Sequence, residues 1–103
     1  HMFLAGTGPN SLGRLRGDFI AIFQFADAGK EVEPILHKGV DSQRVLPGDG
    51  KIDLKAYLTN LKKTGFDGCV SLELYNPEYR KREPVAFLEE ALRKTVKVVS
   101  SVG

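Results

Sequence analysis

The sequence predicts an α/β protein made of two strand-helix units with parallel strands, and three observations carry that reading. Residues 19–26 are a strand-length apolar stretch interrupted only by Gln24, and residues 69–75 are a second strand-length stretch that alternates between an apolar and a polar face. Leu54, Tyr57, Leu58 and Leu61 share one helical face, and Val85, Leu88, Ala91, Leu92, Val96 and Val99 repeat at helical spacing. The order is therefore strand, long loop, helix, strand, loop, helix. Such alternation signals right-handed crossovers and a parallel sheet.

Each element has a local cause. Residues 3–17 are glycine-rich and irregular, with Asn10 or Ser11 placed to cap a short helical turn through Leu12 and Leu15. The run 19–26 reads as a strand buried on both faces, the habit of parallel sheets. Residues 30–52 form a long connection, a length that is usually functional. Asp53 is a good N-cap for the first main helix, and Gly65 is placed to end it. Asn76-Pro77 closes the second strand because proline cannot continue a ladder. Pro84 suits the first position of the last helix. These signals divide one domain, 1–103, into a lead-in (3–18), a first βα unit (19–65, loop 28–52) and a second βα unit (66–103). His1-Met2 reads as a tag remnant outside the chemistry.

Composition narrows the function classes. Hydrophobic residues at 42% and charged residues at 27% fit a globular chain rather than a disordered one. Lysine plus arginine number 15 against 13 acidic residues, and the net charge of +2 is spread without a basic stripe, which argues against nucleic acid. The single cysteine, Cys69, excludes an internal disulfide and reads as a buried small hydrophobe. No apolar run reaches the roughly 18 residues of a membrane span, and the start lacks a signal-peptide pattern. A cytoplasmic protein without membrane partners is expected.

The chemistry-bearing residues follow from strand alternation. Ser71, Glu73 and Tyr75 share one face of the second strand, and Val70, Leu72 and Leu74 share the other. A carboxylate is almost never buried unless paired or bound to metal. Glu73 also stands near the C-terminal end of its strand. Either a salt-bridged strand carboxylate or a site residue satisfies these facts. Gln24 is the polar intrusion in the first strand, a hydrogen-bonding hub or a site residue, and Asp27 follows at that strand's end as a turn carboxylate or a site group. Arg44 precedes the tight Pro47-Gly48 turn and can bind paired oxygens through its fork. His37 reads as a solvated loop residue.

The run Arg44-Val45-Leu46-Pro47-Gly48-Asp49-Gly50-Lys51-Ile52-Asp53, then Gly65-Phe66-Asp67-Gly68 and Ser71-Leu72-Glu73-Leu74-Tyr75-Asn76-Pro77, resembles the last segment of the xylose isomerase-like barrel superfamily. Its members include sugar phosphate isomerases and epimerases, inosose dehydratases and 3-dehydroshikimate dehydratases. The resemblance covers the chain from about Leu12 onward. It implies a fragment of a (β/α)8 TIM barrel, with the two units here equivalent to strands 7 and 8 and their helices. A whole barrel needs about 250 residues, so this chain is expected to be part of a longer protein.

In that family one divalent ion is held inside the barrel, commonly by Glu, Asp, His and Glu from four strands. Glu73 matches the last of these. Gln24, in Gln24-Phe25-Ala26-Asp27, stands where the family has a histidine, as it does in the 3-dehydroshikimate dehydratase-like branch, and an amide oxygen suits Mg²⁺, Mn²⁺ or Co²⁺ better than Zn²⁺. The resemblance thus implies metal ligands Glu73 and Gln24, substrate-binding residues Arg44 and Asp27, and an unknown proton-transfer group. The cofactor would be a divalent metal (Mg, Mn, Co or Zn) in the complete barrel, with none necessarily held by this chain alone. The expected function is that of the C-terminal part of a metal-dependent sugar (phosphate) isomerase or epimerase working beside a carbonyl of a sugar, polyol or cyclic keto acid, the chain alone being inactive. A dehydratase of the 3-dehydroshikimate or inosose type is the alternative chemistry, and a non-catalytic self-assembling module the alternative class. Two open strand edges and an uncovered face containing Ile20, Ile22 and Tyr75 predict a homo-oligomer.

Overall fold

A computed structural model describes residues 1–34 and 40–103. His37 therefore lies outside the described residues. The elements in order are α1 (Pro9–Leu12), β1 (Ile22–Phe25), β2 (Asp27–Ala28), β3 (Arg44–Val45), α2 (Leu54–Lys63), β4 (Cys69–Leu72) and α3 (Pro84–Ser100). Strands β1 and β4 pair in parallel, with Ile22 opposite Cys69, Gln24 opposite Ser71 and Phe25 opposite Leu72. The ladder runs one step further, because Glu73 N–H donates to the Phe25 carbonyl at 3.0 Å. Strands β2 and β3 form a separate antiparallel pair, Asp27 opposite Val45 and Ala28 opposite Arg44.

The helix starts follow their sequences. Asp53 accepts from Ala56 N–H at 2.9 Å and caps α2, and Gly65 takes a positive φ of 79° just beyond the end of α2, where a side chain would be strained. Pro84 opens α3, and Glu83 accepts from Val85 and Ala86 N–H. Those two backbone donors, Ala86 first, hold the Glu83 carboxyl below its usual range.

The apolar face of α2 builds the core: Leu12, Tyr57, Leu58 and Leu61 are buried together, with Ile20, Phe23, Phe66 and Val98 packed against them. Burying a Leu-sized side chain is worth about 1.5–3 kcal/mol, so this cluster supplies much of what fixes α2 to the sheet. A second cluster, Ala28 and Val32 with Phe3, Leu4 and Ile52, sits under the long loop. Phe23 thus faces α2, and alternation turns Ile22 and Gln24 to the opposite side.

Several local expectations change. The first strand is four residues long instead of spanning 19–26, because Gly17–Phe19 close a 3-10 turn and Gly17 N–H donates to Thr64 O at 3.0 Å. That detour carries Ile20 into the α2 core, so it does not belong to the open face. Helix α1 starts from Gly8 with Pro9 at its first position, not from Asn10 or Ser11, and stops at Leu12. Cys69 is exposed, not buried: it is paired with Ile22 on the sheet face turned away from α2, and Ile22 is itself 50% exposed.

Candidate functional site

The parallel ladder determines which polar groups meet. Gln24 is opposite Ser71, and Glu73 lies two residues beyond Ser71 on the same face, so the amide and the carboxylate share the side of the sheet that α2 does not cover. Both line a cavity of about 330 Å³ together with Arg44, Asp27, His1 and Phe3. Both stand at the C-terminal ends of their strands, the end where barrel chemistry is done.

Arg44 is delivered to this cavity by β3. Its Nη1 donates to Glu73 Oε2 at 2.8 Å, with the arginine side chain 14% exposed and the glutamate 30%. Its Nη2 donates to Asp41 Oδ1 at 2.7 Å, and its guanidinium carbon stands 5.3 Å from the centre of the Tyr75 ring. The Tyr75 hydroxyl donates to the other Glu73 oxygen, Oε1, at 3.3 Å. Glu73 is therefore a half-buried carboxylate met by one cation and one phenol, and Arg44 is held on three sides. A fork in this arrangement can accept a second oxyanion as it leaves or shares Glu73.

Asp27 occupies a different niche. It is 2% exposed. Its Oδ1 accepts from Ala28 N–H at 2.9 Å and Ile52 N–H at 3.0 Å, and its Oδ2 accepts from Gly48 N–H at 3.0 Å and Gly50 N–H at 3.1 Å. Both oxygens are taken up by backbone N–H groups, Oδ2 by the Pro-Gly-Asp-Gly loop and Oδ1 by Ala28 and Ile52 on either side of it.

Three further groups stand beside the site. Asn76 Nδ2 donates to the Arg44 carbonyl at 3.0 Å. The Tyr79 hydroxyl accepts from Leu46 N–H at 3.1 Å. Arg44 Nη2 lies 3.4 Å from His1 Nε2, which brings to the cavity wall a residue set aside as a remnant. Asn76 lies within the Ser71–Pro77 motif, which identifies its position but not its partner.

The donor chemistry bears on a metal. Glu73 and Gln24 offer a carboxylate and an amide oxygen from neighbouring strands, the hard oxygen donors that Mg²⁺, Mn²⁺ or Co²⁺ accept. Among the described residues no three His, Cys, Asp or Glu side chains are grouped to hold an ion. Both Glu73 oxygens are engaged in this structure, Oε2 by Arg44 and Oε1 by Tyr75.

A family model described as "Xylose isomerase-like TIM barrel" matches residues 1–94. The chain belongs to that family, and the match includes His1. Among its relatives is an inosose isomerase of Bacillus subtilis (strain 168), 40% identical over 97% of this chain and 35% of that protein. A 3-dehydroshikimate dehydratase of Pseudomonas putida is 34% identical over 70% of this chain and 11% of its own length. A crystal structure of an IOLI protein with a bound zinc atom superposes with a TM-score of 0.85 at 37% identity, covering 97% of this chain and 35% of that one. The chain spans about a third of the length of the inosose isomerases it matches. Among the described residues no helix is long and apolar enough to cross a membrane.

Proposed function

We propose that this chain is the C-terminal part of a divalent-metal-dependent isomerase or epimerase that acts beside a carbonyl of a sugar, polyol or cyclic keto substrate in the cytoplasm. In this reading its units are the seventh and eighth of the barrel. The observation that carries it is the meeting of Gln24, Arg44 and Glu73 in one cavity at the C-terminal ends of two parallel strands. The similarity to inosose isomerase supports the substrate class.

Glu73 and Gln24 are assigned as metal ligands and Arg44 as the substrate anchor. The metal, when bound, supplies Lewis acidity toward the substrate carbonyl. Arg44 orients a substrate oxygen with its fork, and the Tyr75 phenol keeps Glu73 Oε1 hydrogen-bonded and correctly turned. Phe3, Leu4, Ile22 and Phe25 add apolar wall to the cavity. The remaining ligands and the proton-transfer group belong to strands outside this chain, so the 103 residues alone are expected to show no turnover.

Gln24 and the relation to 3-dehydroshikimate dehydratase favour a second reading, a lyase that expels water next to the same carbonyl. A non-catalytic assembly module is the alternative class. Titration of the complete protein with Mn²⁺, followed by paramagnetic broadening of the Gln24 side-chain amide and the Glu73 amide, separates enzyme from module. Selective broadening there is the expected result, and uniform or absent broadening rules against the metal assignment. Assay of the complete protein on inosose and on 3-dehydroshikimate then separates isomerase from lyase.

A further inference from the structure

The carboxylate of Asp27 is buried and has a task that the proposed chemistry does not use. The structure assigns Asp27 as the positioning residue for Arg44, an inference that rests on the reading of Arg44 as the substrate anchor. Arg44 sits on β3, and β3 is two residues long, paired with β2 through Asp27 opposite Val45 and Ala28 opposite Arg44, with one further bond from Gly29 N–H to the Gln43 carbonyl at 3.1 Å. A two-stranded ladder is marginal by itself even at greater length. Further support for so short a strand comes from the chain that follows it.

That chain, residues 46–52, is wound around the Asp27 carboxylate. Gly48, Gly50 and Ile52 present their N–H groups to it from one loop, and Ala28 adds a fourth. Four donors saturate the two oxygens, and an ionised carboxylate accepts such bonds about twice as strongly as a neutral oxygen does. The fit admits no side chain at Gly50: a Cβ there would stand 2.2 Å from the Ala28 oxygen and 2.3 Å from Asp27 Oδ1. Gly48 takes a φ of 88° to turn its N–H inward.

The other side of β3 is fixed by the segment after β4. Asn76 holds the Arg44 carbonyl. Tyr79 holds Leu46 N–H, and its ring packs on Phe87 of α3 at 4.9 Å between centroids. The guanidinium thus reaches Glu73 from a backbone fixed before and after it. Asp27 touches neither Glu73 nor the guanidinium; it acts through the loop.

Asp27→Asn in the full chain tests this. An amide keeps one acceptor oxygen and turns two donors toward loop N–H groups. Amide exchange at Gly48 or Gly50 is expected to quicken at least tenfold while Leu58 and Leu61 in α2 keep their protection. The Arg44 side-chain signals, displaced by the Tyr75 ring in the parent chain, are expected to move toward free-arginine positions. A loosened loop with unmoved Arg44 signals overturns the inference, because a purely structural role would stop at the loop. If Asp27→Asn fails to fold, the unaltered chain decides: slow exchange at Gly48, Gly50 and Ile52 is required, and exchange at unstructured rates overturns it. Mn²⁺ on the complete protein reports separately on the function proposed above, since missing broadening at Gln24 there would count against that function and leave the Asp27 result standing.

Discussion

Glu73 and Gln24 differ in what their loss should do, because one carries charge and the other only a dipole. In the complete enzyme Glu73→Ala is expected to abolish metal-dependent turnover, whereas Gln24→His should retain activity and shift preference toward softer ions such as Zn²⁺. Metal-dependence curves for the two variants check this, and a Glu73 variant with unchanged metal dependence would refute the ligand role. Arg44→Lys is a third case. Lysine keeps the charge but cannot reach Glu73, a substrate oxygen and Asp41 with one planar fork. A lost charge-assisted bond is worth about 1.5–3 kcal/mol, so KM should rise by roughly ten- to a hundredfold with kcat less affected. At this scale the sequence was readable one residue at a time. Alternation put Glu73 on a polar face, and the Pro-Gly turn marked Arg44. Their contact was not readable, since the two are 29 positions apart and lie in separate strand pairs, Arg44 in β2–β3 and Glu73 at the end of β1–β4. Asp27 is the sharper example. Its donors lie 21 to 25 residues downstream, apart from its neighbour Ala28, so nothing nearby in sequence distinguishes a loop anchor from a substrate ligand.

Helices were the more legible elements because their signals are local. The Asp53 cap and the 54, 57, 58, 61 pattern specify α2 without reference to the rest of the chain. Asp53→Ala should cost about 1 kcal/mol of stability, visible as a lower thermal midpoint with unchanged cooperativity. The attachment of α3 to the Pro-Gly loop is instead electrostatic. Arg82 and Lys94 contact the two oxygens of Glu90 at 2.5 and 2.9 Å, and Lys94 also meets Asp49 of the loop at 2.5 Å. Hydrogen bonds from Arg82 and then Lys94 lower the Glu90 pKa from 4.5 to about 2. A lowered carboxyl pKa contributes stability that is complete above the unfolded value and is lost as pH falls through the folded one. Lys94 is raised above 10.5, chiefly by its bond to Asp49, and its contribution is lost only in strong alkali. Thermal midpoints should therefore fall between about pH 5 and pH 2. Glu90→Gln should flatten that part of the curve, and a variant that follows the parent would show that α3 is held by other contacts. Cys69 marks where element-level reading stops: its apolar neighbours imply burial, but the cover for its side of the sheet must come from elsewhere.

The distribution of apolar surface over the whole molecule argues for association. Val85, Leu88, Leu92 and Val96 are 62%, 64%, 65% and 52% exposed along one side of α3, while Ala91 is that helix's buried residue. Across the sheet, Ile22 and Tyr75 are 50% and 49% exposed on the face turned from α2. Among the described residues the β1–β4 sheet has two strands, so each has one edge without a strand partner, and such edges invite another strand. Parallel sheets are ordinarily covered on both faces, and in a complete barrel neighbouring units provide that cover. The 103-residue chain in solution has further copies of itself, and twofold pairing is the commonest arrangement that hides such a surface. Sedimentation at micromolar concentration is expected to give a dimer or larger species. Replacing Leu88 and Leu92 together by lysine should return it to monomer with its far-ultraviolet spectrum intact, because neither side chain contributes to the buried core around Leu58. A compact, cooperative monomer of the unaltered chain would mean that these exposed faces are tolerated in water, and the case for association would fail.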